Sequence, residues 1–133
     1  MIKEYKFGSI TISGKTYEYD VEVRWNDEVL KWWRKESHVI DAEDVKRAAE
    51  QNPETIVIGT GESGVAKVTE EAKKFIKGKR IRLIIEQTGH AIKIFNIINE
   101  KSQEGQRKVI GLHEFYSKVQ HSDFLLNTSY GVK

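Results

Sequence analysis

Apolar side chains recur at every second position early in the chain. Residues 6–12 place Ile10 and Ile12 on one side, and residues 16–24 do the same with Tyr17, Tyr19, Val21 and Val23. That period predicts two half-buried strands. The intervening Ser13-Gly14-Lys15 supplies a turn, so the two form a hairpin. A turn at Asn26-Asp27 leads into a third strand over residues 28–34, EVLKWWR.

Beyond residue 40 the period changes. Asp41 followed by Asp44 predicts an N-cap and an acidic first turn, and Val45, Ala48 and Ala49 form a helical stripe that Asn52-Pro53 ends. Residues 55–58 are apolar without alternation, as in a strand covered on both faces. Thr69 caps a second helix through Lys77, closed by Gly78, and residues 80–86 (RIRLIIE) form another buried strand. Thr88 caps a third helix through Glu100, with Ala91, Ile94, Phe95 and Ile98 at core spacing, and residues 107–112 are the last strand. A hairpin-like front followed by alternating helix and strand predicts a compact three-layer α/β domain. It has a central mixed sheet, an N-terminal antiparallel hairpin region and about three helices.

Composition narrows the chemistry. The 133 residues suffice for one self-supporting core, and the chain has no cysteine, which removes thiolate nucleophiles, disulfides and cysteine metal sites. No apolar run approaches the ~20 residues of a membrane span, and the start lacks a secretory apolar core, so the expectation is a cytoplasmic protein without membrane contact. Lys plus Arg number 22 against 20 Asp plus Glu, too balanced for a nucleic-acid partner. The basic cluster over residues 73–82 includes a helix end, where lysines complement the dipole; the cluster over residues 31–35, KWWRK, has no such explanation. His90, His113 and His121 show no metal-type spacing with one another, so neither a metal nor another cofactor is expected.

The run TIVIGTGESG over residues 55–64 ends in Gly-x-Gly-x-x-Gly, at Gly59, Gly61 and Gly64. In dinucleotide enzymes that spacing carries the chain from strand into helix, with the third glycine inside the helix. Here Val65-Ala66-Lys67-Val68 separates Gly64 from the cap at Thr69. The motif also follows some 55 residues of other structure. It therefore reads as a sharp loop at the carboxyl end of a parallel strand, a location where open α/β sheets hold ligands. Ser63 in this loop lacks the nucleophile-elbow spacing, and Glu62 and Glu86 are candidates for a carboxylate pair near the strand ends. Trp32 and Trp33 point to opposite faces if extended. One belongs to the core; the other is either structural or, beside Arg34, an aromatic wall for an anion or planar group. His38 follows in a loop.

The segments FGSITISGKTYEYDV, WWRKESHVIDAEDV, VIGTGESG, TGHAIKIFN and VIGLH, in this order and spacing, resemble the Mth-domain family across residues 1–113. The resemblance implies a fold like that of mitochondrial complex I assembly factor 3 and little chemistry, since eukaryotic relatives are regarded as assembly or regulatory factors. Two departures stand out: Gln87-Thr88 replaces a common proline–threonine pair, and the apolar segment over residues 114–133 extends past the usual end.

The expectation is one Mth-type domain over residues 1–113, with residues 114–133 docked on it or exchanged between subunits of a monomer or weak homo-oligomer. Its function is binding or assembly, without catalytic residues, engaging a partner protein or a small anionic ligand. The candidate ligand-binding residues are Trp33, Arg34, His38, Gly59, Thr60, Gly61, Gly64 and Thr88. The alternative is a small-molecule or anion-binding enzyme using the 59–64 loop with Arg34 and His38.

Overall fold

The structure, a computed structural model, describes residues 2–6, 8–102 and 107–114. Its centre is a five-stranded mixed sheet in the order β5-β4-β10-β7-β9. These strands are β4 (Val21–Arg24), β5 (Val29–Lys31), β7 (Thr55–Thr60), β9 (Arg82–Glu86) and β10 (Val109–Glu114). β10 pairs parallel with β7 and antiparallel with β4, and β7 pairs parallel with β9. β7 is buried at every position, as its unbroken apolar run predicts.

Two layers cover the sheet. On one face lie α1 (Ala42–Ala49) and α2 (Glu70–Gly78), closing a core of Trp32, Ile40, Val45, Ile56, Ile58, Ile76, Ile110 and Leu112. On the other face lie α3 (Thr88–Lys101) and an antiparallel sheet of β1 (Ile2–Lys6), β2 (Ser9–Ile12) and β3 (Lys15–Tyr17). Their core comprises Ile2, Ile10, Ile12, Val21, Val23, Val57, Phe95 and Val109. Among the described residues the expected three-layer α/β architecture, with a mixed central sheet and three helices, is therefore the one observed.

Local chemistry sets the helix starts. Asp41 caps α1 in a reciprocal capping box with Asp44, and Thr69 caps α2 by accepting from the Ala72 N–H at 3.0 Å. The Thr69 hydroxyl also donates to Asp41 Oδ1 at 2.9 Å, which ties the two helix starts together. The Ala42 N–H and then the Thr69 hydroxyl hold the Asp41 carboxyl below its ordinary range. Between β7 and α2 runs β8 (Lys67–Val68), paired with β6 (Val39–Ile40).

Three expectations need correction. The alternating run over residues 16–24 is split, because β3 pairs in the outer sheet while β4 enters the central one. The EVLKWWR strand stops at Lys31, with Trp32, Trp33 and Arg34 beyond it. Gln87, not Thr88, caps α3: its side-chain oxygen accepts from the His90 N–H at 3.2 Å, which leaves the Thr88 hydroxyl for longer-range bonds. Among the described residues no helix is long and apolar enough to cross a membrane. Of the segment over residues 114–133, expected to dock or exchange, Glu114 ends β10 and residues 115–133 lie outside the described residues.

Candidate functional site

The carboxyl ends of β7, β9 and β10 converge on the glycine loop, and each glycine there has its own reason. A Cβ on Gly59 would lie 2.9 Å from Thr88 Oγ1 and 3.0 Å from His113 Nδ1, so only glycine lets the start of α3 and the imidazole approach the strand. Gly61 and Gly64 adopt φ of +103° and +70°, the left-handed region that favours glycine. The following helix begins at Glu70, after β8, so Gly64 lies outside any helix and the dinucleotide arrangement does not form.

The loop is fastened from all sides. The Gly61 N–H donates to Thr88 Oγ1 at 2.8 Å, and the Thr88 N–H returns a bond to the Gly61 carbonyl at 3.1 Å. The Thr88 hydroxyl donates in turn to the Glu114 carbonyl, and that of Thr60 to the Glu86 carbonyl at 3.1 Å. The Gln87 amide donates to the Glu62 carbonyl at 2.9 Å, and the Tyr5 hydroxyl donates to Glu62 Oε1 at 2.5 Å. Burial, reinforced by that bond to Glu62, pushes the Tyr5 phenol above its ordinary range. Glu62 is therefore engaged by Tyr5.

Arg34 lies beneath this edge, with a side chain only 1% exposed. Its Nη2 donates to Asp20 Oδ2 at 2.6 Å, and its Nη1 lies 3.2 Å from Glu114 Oε1 while also donating to the Ser37 carbonyl at 2.7 Å. Glu114 reaches the glycine loop, since a Cβ on Gly61 would stand 3.4 Å from its Oε2. Arg34 is thus linked to the loop through Glu114.

The other expected site residues are placed differently. Trp32 is buried and donates its indole N–H to the Asp44 carbonyl at 2.8 Å, whereas Trp33 is 67% exposed. Lys31 Nζ stands 4.6 Å from the centroid of a Trp33 ring and 5.2 Å from that of Tyr19. His38 is exposed, and its carbonyl accepts from the Lys67 N–H at 2.9 Å. Gly59, Thr60, Gly61, Gly64 and Thr88 therefore form one cluster with Arg34 behind it, while the contacts of Trp33 and His38 run elsewhere.

Asp20, Glu114, Tyr5 and His113 complete the site, and sequence reasoning missed them as a group. Asp20 pairs with a residue 14 positions away and Tyr5 with one 57 away, separations that no local pattern signals. His113 had a visible clue in Gly111, two residues earlier on the same strand face. A Cβ there would come within 2.4 Å of His113 Nε2, so the ring lies over Gly111, with its edge toward Phe95 at 6.0 Å. Neither ring nitrogen has a hydrogen-bond partner among the described residues, and complete burial pushes His113 down to about 3, which keeps it neutral. Among the described residues no three metal-ligating side chains converge.

Several solved structures share this fold. A conserved hypothetical protein of Pyrococcus horikoshii OT3 superposes with a TM-score of 0.73 at 20% identity, covering 86% of this chain and 98% of that one. A Bartonella henselae protein described as an outer membrane protein gives 0.71 at 21% identity, covering 86% and 92%. The Rpa2829 protein of Rhodopseudomonas palustris gives 0.64 at 21% identity, covering 85% and 82%. At such identities the likeness speaks for the fold alone. The sequence profile described as "Protein of unknown function (DUF498/DUF598)" matches residues 2–113, and the chain accordingly belongs to that family.

Proposed function

We propose that this domain is a non-enzymatic binding module of assembly or regulatory type, and that it engages a partner protein through the surface around Trp33. The observation that carries the reading is a tryptophan 67% exposed between two anchored neighbours, Trp32 and Arg34. Trp33, Tyr19 and the Lys31 ammonium form an aromatic and cationic patch on a fixed base, and large aromatic anchors of this kind dominate protein interfaces. The cationic component suits a partner segment that is apolar with acidic side chains. The resemblance to Mth-domain proteins, with their assembly and regulatory relatives, points the same way.

The enzymatic alternative has less support. An anion at Arg34 would have to displace Asp20 and Glu114, and Glu62 and Thr88 are occupied by bonds that fix the loop. The test compares wild-type and Trp33→Ala chains as baits under native conditions in extracts of the source cells. A specific protein retained by wild type and lost with the variant is expected. Identical recovery by both baits overturns the reading, and thermal stabilisation by phosphate or nucleotides that Trp33→Ala leaves intact transfers the case to the alternative.

A further inference from the structure

The two edges of the central sheet differ. β5 offers three residues, while β9 offers five, with Leu83, Ile84 and Ile85 half-buried between exposed Arg82 and Glu86. β9 carries no proline, and neither its Arg82 nor its Glu86 side chain has an ion-pair partner among the described residues. Such an edge is a template for another strand. Apolar side chains flank it on both faces. On the face of α1 and α2, Phe75 of α2 is half-buried beside the core that includes Leu83 and Ile85. On the other face, Ile94, Ile97 and Ile98 of α3 form one stripe, with Ile97 52% exposed. Asn96, on the opposite side of that helix, exchanges two hydrogen bonds with the Ile2 backbone of β1, so the isoleucine stripe faces away from the β1 sheet.

Hydrogen-bond parity and charge together select an occupant. The Arg82 N–H donates inward to the Glu54 carbonyl at 2.9 Å, so even-numbered residues of β9 face β7 while Leu83 and Ile85 turn their main-chain groups outward. We infer that β9 pairs antiparallel with β9 of a second copy of this chain about a two-fold axis at Ile84, joining the two central sheets into one. Leu83 and Ile85 then exchange main-chain bonds with the partner's Ile85 and the partner's Leu83. The same register sets Arg82 opposite the partner's Glu86, and Glu86 opposite the partner's Arg82, on either side of the isoleucine pair. An isologous interface requires this kind of self-complementarity, and a shift of register separates the charges. The inference is independent of the Trp33 surface, which follows β5 at the other end of the sheet.

Sedimentation equilibrium of the full chain tests it, with a dimer of twice the 15.4 kDa chain mass expected. Arg82→Glu or Glu86→Arg alone sets like charges opposite each other, and each should weaken dimerisation about tenfold. The two variants mixed should form a heterodimer preferentially, and the double variant Arg82→Glu/Glu86→Arg should recover dimerisation to within about threefold of wild type. All three variants change exposed side chains, and circular dichroism confirms that each remains folded. A wild-type chain monomeric at every accessible concentration overturns the inference. So does a dimer indifferent to both single variants, or a pair of variants that shows no preference for each other.

Discussion

His113 and Glu114 are chain neighbours at the end of β10, on opposite faces of one sheet, and both are buried. Glu114 faces the side of α1 and α2, where Arg34 reaches it and holds Asp20 as well. His113 faces α3, where it meets glycine, Phe95 and, among the described residues, no hydrogen-bond partner. The sheet thus buries polar groups in two ways. Where a guanidinium lies within reach the carboxylates pair with it, and where none does the imidazole stays neutral.

The largest effect comes from breaking the charged side. Arg34→Met leaves Asp20 and Glu114 buried without the guanidinium, and urea unfolding should record a loss of about 3–5 kcal/mol. A loss below about 1 kcal/mol would mean that the two carboxylates do not depend on Arg34. Breaking the packed side is somewhat milder. Gly111→Ala brings a methyl to 2.4 Å from His113 Nε2 and 3.0 Å from Phe95 Cδ1, an overpacking that should cost about 1–3 kcal/mol. Combined with His113→Ala it should cost clearly less than the sum of the single changes, and strict additivity would refute contact through the ring.

Acid sharpens the contrast. The folded state holds His113 near 3, below the ordinary 6.5 of the unfolded chain, so between those values the unfolded state takes up a proton that the folded state refuses. Its contribution is complete above about pH 6.5 and declines as pH falls toward 3. Between pH 7 and pH 5, wild type should lose about 2 kcal/mol more than His113→Leu does. Parallel stability curves for the two proteins would contradict a neutral buried imidazole.

The smallest effect lies at the rim. Tyr5→Phe removes the bond to Glu62 and should cost about 1 kcal/mol. In an ultraviolet titration of the tyrosines, the same change should remove a phenol that ionises above the ordinary range; a titration unchanged by the substitution would dissociate Tyr5 from Glu62.

Much of the frame was legible because it rests on local chemistry. The caps at Asp41 and Thr69, the unbroken apolar run of β7 and the stripe of α3 each follow from neighbouring residues. The opposite exposure of Trp32 and Trp33 also held, although the strand expected to impose it stops at Lys31. The site was legible only in part. The glycines mark the loop, yet what fixes it are partners such as Gly61 and Thr88, which are 27 positions apart. Over residues 21–24 the alternation does separate the two faces of β4, but it could not tell that Glu22 faces Arg24 and Arg47 beneath α1 instead of water. Polar positions on an amphipathic strand look alike whether solvent or a second layer covers them.

The strand order has a consequence for how the protein is made. β10 is the last described strand to be synthesised, and it lies between β4 and β7. Until it emerges, the β4–β5 ladder and the β7–β9 ladder have no shared neighbour in the sheet, and the carbonyl that receives the Thr88 hydroxyl bond is missing. The nascent chain therefore carries two halves of a sheet that one late segment must join, so closure of the domain is timed by the ribosome's arrival at that segment.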